Sequence, residues 1–232
     1  MKIRSPLFLL FFLSSTVILA QFTGPYTCPS PYVFMDGGGG FIKYYDPAQP
    51  LSANNPGNTN IPTCPGGGGL AYMPNINTTT PSPTFYSTAG GTYWYWNGTT
   101  WVNTGHSTGN GAAVNIGGCN GAIYNLVGFT GQVYSYNGTG GGTLLTTLQN
   151  FNGGGPYDLV TDCNCNFYAL NTSAPNQTLT MYSPAGVPLC TYTLNGMPNT
   201  TAGGGFAIIG NNIYVKNNLA NGFFIGTISG SV

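Results

Sequence analysis

The chain has 232 residues, of which only 3% are charged, and it contains no glutamate. General acid–base catalysis and nucleic-acid binding both need charged or titratable side chains at close range, so this composition argues against an enzyme and against a nucleic-acid partner. The charged residues and the histidine that follow residue 20, with a net charge of −2, are Asp36, Lys43, Asp46, His106, Asp158, Asp162 and Lys216.

Residues 1–20 have the pattern of a secretory signal peptide. Lys2 and Arg4 form a basic start, residues 7–13 are all apolar, and Ala20 is a small residue at a plausible cleavage point. A membrane anchor is the alternative, but the apolar stretch is shorter than the roughly 20 residues of a span, and three hydroxyl residues interrupt it. We therefore predict a secreted, extracellular protein, associated with the cell surface or released from it, with no membrane span after cleavage.

Residues 21–232 are predicted to form one folded, all-β domain. Glycine is very abundant, at 37 residues, but aromatic residues make up 14% of the chain, and disordered chains are poor in aromatics. Residues 21–65 form an irregular N-terminal unit, in which residues 33–35 and 41–45 are predicted as the middle strands. Residues 66–232 form a repeat domain that is continuous with it.

Four repeat units are predicted in residues 66–232. Short runs of Tyr, Phe, Ile, Val and Trp, bounded by Gly, Asn and Pro, predict the strands. The first strands follow glycines and are predicted at 70–72, 112–114, 157–160 and 206–209. The second strands are predicted at 84–86, 122–124, 167–170 and 213–215. The third strands are predicted at 92–96, 132–136, 179–182 and 223–226, and three units have a fourth, at 101–102, 144–148 and 189–194.

This repeat predicts a β-propeller-like fold of about five four-stranded units. Four strands every 40 to 45 residues are typical of a propeller blade. A single four-stranded sheet cannot bury both of its apolar faces, and stacking sheets around an axis buries them against each other. A β-solenoid and a β-sandwich are the alternatives. Most solenoids have a shorter repeat, and a sandwich lacks this internal repeat. Two arrangements are consistent with the sequence. Either the ring closes, with residues 22–28 as the candidate last strand, or the blades form an open arc that another molecule completes.

Six cysteines follow the signal segment: Cys28, Cys64, Cys119, Cys163, Cys165 and Cys190. An even number in an exported chain favours disulfides. A zinc site is the alternative, but only one residue separates Cys163 from Cys165, and no second pair lies nearby. Cys28 and Cys64 share a Thr-Cys-Pro context and are predicted to pair, and the repeat places Cys119 near Cys163 or Cys165.

The carboxylates and the histidine are weak candidates for catalysis. Asp158 and Asp162 are four residues apart on or beside one predicted strand, about 13 Å along it, which is too far for a glycosidase pair. They are candidate calcium ligands, although bonding to turn amides is the simpler interpretation. His106 is the only histidine, and its surroundings, residues 105–109, are predicted as a loop. We therefore predict no catalytic residues and no cofactor other than Ca²⁺.

Trp94, Trp96 and Trp101 belong to the densest aromatic segment of the chain. Strand alternation places Trp94 and Trp96 on one face and Tyr93 and Tyr95 on the other. Aromatic rings stack on sugars, so the three tryptophans are candidate ligand-binding residues, with Trp101 expected to be the more exposed. Packing between blades is the alternative.

Two segments resemble the propeller-like repeats of secreted Bacteroidota surface proteins, many of them gliding-motility-associated or adhesin-like. The first is Tyr-Asp-Leu-Val-Thr-Asp at 157–162, which leads into Asn-Phe-Tyr-Ala-Leu at 166–170. The second is Thr-Tyr-Trp-Tyr-Trp-Asn-Gly at 92–98. The likeness covers roughly residues 66–230. It implies extracellular binding or assembly and no shared catalytic residues.

The function predicted from the sequence is therefore extracellular binding, or surface or matrix assembly, by a non-enzymatic β-repeat protein. The predicted partner is an extracellular protein, a glycan or another copy of the chain. A glycan-binding, lectin-like protein and a self-assembling fibre subunit are the alternatives.

Overall fold

The structure is a computed structural model that describes residues 33–36, 40–49, 57–74, 76, 83–110, 115–151, 159–162, 164–171, 178–195, 203–217 and 222–231. These residues form eighteen β-strands and one short 3-10 helix, Gly128–Thr130. The strands of the first unit are β1 (Val33–Asp36), β2 (Phe41–Tyr45) and β3 (Gly57–Pro62). The strands of the second are β4 (Gly67–Pro74), β5 (Pro83–Ala89), β6 (Thr92–Trp96) and β7 (Trp101–Ser107).

The remaining strands repeat this arrangement along the chain. The third unit contains β8 (Asn115–Cys119), β9 (Ala122–Val127), β10 (Gln132–Tyr136) and β11 (Thr143–Thr147). The fourth contains β12 (Leu159–Thr161), β13 (Phe167–Asn171), β14 (Thr178–Tyr182) and β15 (Pro188–Asn195). The fifth contains β16 (Gly203–Ile209), β17 (Asn212–Asn217) and β18 (Gly222–Ser231). Within each unit, consecutive strands pair antiparallel.

The five units are the blades of a β-propeller, as the repeat predicted, and they form a closed ring, which the sequence had left open. The first strands of successive blades lie next to each other, from β1 to β4, β8, β12 and β16, and β16 returns to β1. The chain therefore closes a ring of five within its described residues, and the open arc is not what the structure has. The candidate closing segment 22–28 lies outside the described residues.

Five hydrophobic clusters, one at each seam between adjacent blades, form the core. The seam between the first and second blades buries Ile42, Cys64, Phe85, Ala89 and Trp101. The seam between the second and third buries Ala71, Met73, Tyr86, Tyr93, Ile116, Ile123 and Tyr136. The next two bury Leu126, Val133, Leu148, Leu159, Phe167, Ala169 and Tyr182, and then Leu170, Leu179, Leu194, Phe206, Ile213 and Val215. The seam that closes the ring buries Val33, Tyr45 and Tyr214.

One strand prediction is wrong in position. Strand β1 lies against β4 and β16, so residues 33–36 form an innermost strand and not a middle one. The innermost strand of the third blade is Asn115–Cys119, whereas the predicted segment 112–114 lies outside the described residues. The prediction for residues 33–35 was wrong in position because apolar content indicates a strand but not its place within a blade.

Glycines lie within the innermost strands and not only in the connections between blades. Residues 67–69 open β4, and residues 203–205 open β16. A Cβ atom on Gly117 of β8 would lie 3.1 Å from Thr161 Cγ2 in the fourth blade, and one on Gly118 would lie 2.6 Å from Met73 Sδ in the second. A side chain at either position would require Thr161 or Met73 to move, so glycine permits the close approach of these strands to the neighbouring blades.

The fourth and fifth blades share one seven-stranded sheet, because β18 is long enough to belong to both. Residues 222–227 of β18 pair with β17, and residues 227–231 pair with β15. The sequence indicated a last blade without a clear fourth strand. In the structure, the third strand of that blade continues onto the outer edge of the preceding blade and pairs part of that edge.

Candidate functional site

A polar cluster that the sequence interpretation missed lies at the seam between the second and third blades. His106 is in strand β7 and not in a loop, and its Nδ1 atom lies 2.8 Å from the hydroxyl oxygen of Tyr136 in β10. The Tyr136 ring stacks on Tyr93 of β6, with the ring centroids 4.0 Å apart and the planes at 8°. The Tyr93 hydroxyl donates a hydrogen bond to Oδ1 of Asn125 in β9. The four side chains therefore come alternately from the second and third blades and form one connected row across the seam.

Burial controls the electrostatics of this cluster. Tyr93 and Asn125 are both fully buried. Burial, and secondarily the neighbouring Tyr136, raise the pKa of the Tyr93 hydroxyl, and burial likewise raises the pKa of Tyr136. Both tyrosines therefore stay protonated at neutral pH and act as hydrogen-bonding groups, not as bases. Within the described part of the chain, Asn125 Nδ2 and Asn110 Oδ1 are buried without a hydrogen-bond partner.

Asp162 organises a turn of the fourth blade. Its Oδ1 atom accepts hydrogen bonds from the amides of Asn164 and Asn166, at 2.8 and 2.9 Å. Its Oδ2 atom accepts one from Asn166 Nδ2 at 2.9 Å and one from the Tyr168 hydroxyl at 3.3 Å. Burial, followed by the charge of Asp162, raises the pKa of Tyr168 to about 12.

The calcium prediction is not tested by this arrangement. Asp158 lies outside the described residues, so the proposed pair of carboxylates is not brought together here. No group of three or more His, Cys, Asp or Glu side chains that could hold a metal ion occurs among the described residues.

A disulfide joins Cys119, at the β8–β9 turn of the third blade, to Cys165 in the Asp162 turn of the fourth blade, with the Cα atoms 5.5 Å apart. The sequence had left Cys163 and Cys165 open as partners of Cys119, and the structure selects Cys165. Cys28 and Cys163 lie outside the described residues, so the pairing of Cys28 with buried Cys64 stays a prediction. Cys190 carries a free thiol and is partly buried.

The aromatic segment packs between the first and second blades. Trp94 and Trp96 face the first blade, while Tyr93 and Tyr95 face the third, as strand alternation predicted. The expectation that Trp101 is the most exposed is wrong, because this residue is only 8% exposed. Its indole N–H donates a 2.6 Å hydrogen bond to the carbonyl of Pro62 in the first blade, which holds the ring in the seam.

Four exposed apolar side chains, here called the rim patch, lie on strand β11 of the third blade and on the β14–β15 turn and strand β15 of the fourth. They belong to Leu144, Leu145, Val187 and Leu189, which are 53%, 47%, 41% and 53% exposed. The adjacent residues Leu144 and Leu145 already indicate this exposure. Two adjacent leucines in a strand with a single buried face cannot both point inward.

Comparisons with known proteins give no family for the chain. No protein family and no curated protein matches it. A chain of the nidogen/laminin complex is similar in structure, with a TM-score of 0.48 and 14% identity over 80% of this chain and 84% of that one. The luciferin-regenerating enzyme is also similar in structure, with a TM-score of 0.49 and 11% identity over 89% of this chain and 90% of that one.

PorZ of Porphyromonas gingivalis, an essential surface component of the type-IX secretion system, is a third similar structure. Its TM-score is 0.42, with 13% identity over 94% of this chain and 27% of PorZ. No family match makes the resemblance drawn from the sequence more specific. At these scores none of the three similarities bears on activity or partners. The propeller assignment rests on the strand order and the five seams.

Proposed function

We propose that this protein is a non-enzymatic binding and assembly module that works outside the cytoplasm, at the cell surface or in the extracellular matrix. The observation that carries the proposal is the rim patch, because its four large apolar side chains on two adjacent blades are exposed to solvent. Exposed apolar groups with polar surroundings are typical of protein interaction sites. Among the described residues of strands β11 and β15, the exposed polar neighbours are uncharged: Thr143, Thr147 and Thr193.

The disulfide between the third and fourth blades supports the location. Disulfides form and persist in oxidising compartments, and they are rare in the cytosol. The bond joins the two blades that carry the rim patch, so it also fixes their relative position. Within the part of the chain that the structure describes, no helix has the length and apolarity to cross a bilayer.

The contacts of the titratable groups support a non-enzymatic role. His106 bonds to Tyr136 within a blade seam, and Asp162 bonds to the amides of its own turn. Each group thereby has a structural use that requires no substrate.

Retention on cells tests the proposal. The mature chain, residues 21–232, is added to cells of the source organism that lack the gene, and the bound fraction is measured after washing. The double variant Leu145→Arg/Leu189→Arg should lose at least about tenfold in retention, because arginine removes the apolar contact and adds charge. Phe41→Arg is the matched control, since Phe41 is a similarly exposed apolar residue on the first blade and should have little effect. Equal retention of all three proteins would contradict the proposal.

Glycan binding is the second candidate, and the surface beside Trp96 favours it. The Trp96 ring is only partly buried, and the turn that follows it, residues 97–100, is exposed. A glycan array tests this candidate, with Trp96→Ala as the variant. Binding by the parent protein that Trp96→Ala abolishes would support it, and an array without any signal would remove it.

A further inference from the structure

We propose that the seam between the second and third blades binds a buried water molecule, which bridges the side-chain amides of Asn125 and Asn110. The site lies in the interior of the propeller and is independent of the rim patch and of the proposed function. Two polar atoms that are buried without a hydrogen-bond partner, one a donor and one an acceptor, carry the proposal.

The donor is the amide nitrogen of Asn125 in strand β9. The Asn125 side chain is fully buried, and its Oδ1 atom accepts the hydrogen bond from the Tyr93 hydroxyl. Its Nδ2 atom has no hydrogen-bond partner within the described part of the chain. A buried amide N–H without a partner carries a free-energy penalty, and such groups in folded proteins are nearly always paired with protein atoms or with ordered water.

The acceptor is the side-chain oxygen of Asn110, which follows β7 on the way to β8. Contacts of the preceding residue, Gly109, bring this segment to the face of the third blade that bears Asn125. A Cβ atom on Gly109 would lie 2.6 Å from Tyr134 Cδ1 and 2.7 Å from the carbonyl oxygen of Gly142. Tyr134 is the direct cross-strand partner of Asn125, so the two side chains share one face, with Cβ atoms about 5 Å apart. Asn110 is therefore one residue away from this pair, a gap that one water molecule can span.

Gly142 connects the two amides from the other side. A Cβ atom on Gly142 would lie 2.7 Å from the Tyr93 hydroxyl, which binds Asn125, and 2.6 Å from the carbonyl oxygen of Thr108. Thr108 is fully buried and lies two residues before Asn110. Gly142 is therefore next to both the hydroxyl that binds one amide and the segment that carries the other, so the two atoms without partners belong to one small region of the seam.

Water is the ligand that fits these groups. It accepts a hydrogen bond from Asn125 Nδ2 and donates one to Asn110 Oδ1, and the carbonyl oxygen of Thr108 is a further acceptor in the same region. Buried waters typically make about three hydrogen bonds to polar groups that would otherwise be unpaired. An ion would be buried without a counter-charge, because the sequence contains no Asp, Glu, Lys or Arg from residue 47 to residue 157.

Magnetic relaxation dispersion of water deuterons counts the water molecules that tumble with the protein, and it tests the site in the mature, disulfide-intact chain. Asn125→Leu and Asn110→Leu should each lose one such water relative to the parent protein. Asn103→Leu is the matched control, since Asn103 is an exposed asparagine of β7, and it should lose none. Circular dichroism checks that each variant is folded. Asn110→Leu leaves the bond between Tyr93 and Asn125 in place, so an unchanged count in this folded variant would overturn the inference.

A double-mutant cycle tests whether the two amides share one water. The variant Asn110→Leu/Asn125→Leu should lower the unfolding temperature by less than the sum of the two single variants, because either substitution alone already releases the water. Strictly additive losses would mean that the two amides are independent, and the bridge would be wrong.

A crystal structure of the parent protein separates a shared water from a direct bond between the two side chains. Density for a water molecule within hydrogen-bond distance of both Asn125 Nδ2 and Asn110 Oδ1 is the expected result. A direct hydrogen bond between the two amides, or the absence of water density between them, would overturn the inference.

Discussion

The seam between the second and third blades differs sharply from the seam that closes the ring. The former buries seven residues, stacks Tyr93 on Tyr136 and includes the His106 and Asn125 hydrogen bonds. The latter, among the described residues, buries only Val33, Tyr45 and Tyr214, with the two tyrosine rings tilted at 49°. Among the described residues, the second and third blades thus share an extensive interface, while the first and fifth blades meet over a small apolar one.

This difference implies a hierarchy of stability within one ring. A seam with few buried apolar contacts opens locally at a lower free-energy cost than the rest of the fold. We therefore expect the ring to open first between the first and fifth blades, while the second, third and fourth blades stay together.

The largest effect is expected from matched tyrosine truncations at the two seams. Tyr136→Ala should lower the free energy of global unfolding by about 3 to 5 kcal/mol, because a large buried ring leaves a cavity. Tyr214→Ala should cost less globally but should speed amide exchange in β1, β2 and β17. Urea unfolding and hydrogen-exchange mass spectrometry measure the two quantities. Equal global losses would mean that the closing seam is as strongly coupled as the inner one.

The disulfide is the next test, because it adds a covalent link to a seam remote from the closing one. Cys119→Ala or Cys165→Ala should each cost about 2 to 4 kcal/mol in unfolding free energy, since the bond closes a loop between residues 46 positions apart. Cys190→Ala is the control and should have a small effect, since its thiol is free and partly buried. Losses equal to that of the control would show that the bond adds nothing to this seam.

A pair of adjacent glycines tests how closely the second and third blades approach. A Cβ atom on Gly142 would lie 2.6 Å from the carbonyl oxygen of Thr108 and 2.7 Å from the Tyr93 hydroxyl, whereas one on Gly141 would lie 3.3 Å from its nearest neighbour, the carbonyl oxygen of Ser107. Gly142→Ala should therefore cost about 1 to 3 kcal/mol in thermal or urea unfolding, and Gly141→Ala should cost less. If Gly141→Ala is the more damaging, the seam is not packed as described.

The smallest effect near neutral pH is expected from tyrosine ionisation, which lowers the stability of the folded protein only at alkaline pH. Burial contributes to a raised pKa in eight tyrosines: Tyr45, Tyr72, Tyr93, Tyr124, Tyr136, Tyr168, Tyr182 and Tyr192. A group with a folded pKa above its unfolded value of 10.0 favours the folded state fully below pH 10. For Tyr168 that contribution is lost as the pH rises from 10 to about 12.

Thermal unfolding measured against pH checks this prediction. The unfolding temperature should fall above pH 10, and the tyrosinate absorbance of the buried rings should appear together with unfolding. An unfolding temperature that stays constant through this range would contradict the burial of these hydroxyls.

The sequence predicted the blades well where strand and turn patterns coincide. The third strands Thr92–Trp96 and Gln132–Tyr136 have the bounds that alternation predicted. Repeat spacing also brought Cys119 near the correct partner turn. The spacing of the repeats shows which turns occupy equivalent positions in successive blades. It cannot distinguish Cys163 from Cys165, because both belong to the same turn.

The errors come from interactions between blades that are distant in sequence. Trp101 is buried because a carbonyl 39 residues earlier, on Pro62, accepts its indole N–H. His106 lies in a strand because β7 pairs with β6 as far as Ser107, and its ring bonds to Tyr136 of the next blade. The rim patch depends on register shifts, which alternation alone does not predict.

Closure of the ring is tested most directly by a nuclear Overhauser effect between the aromatic protons of Tyr45 and Tyr214. The ring centroids are 5.6 Å apart, although the residues are far apart in sequence and belong to the first and fifth blades. In tyrosine-labelled mature protein, with Tyr45→Phe and Tyr214→Phe to assign the signals, a closed ring predicts a cross-peak between them. A folded protein in which both tyrosines are assigned but show no cross-peak would contradict closure.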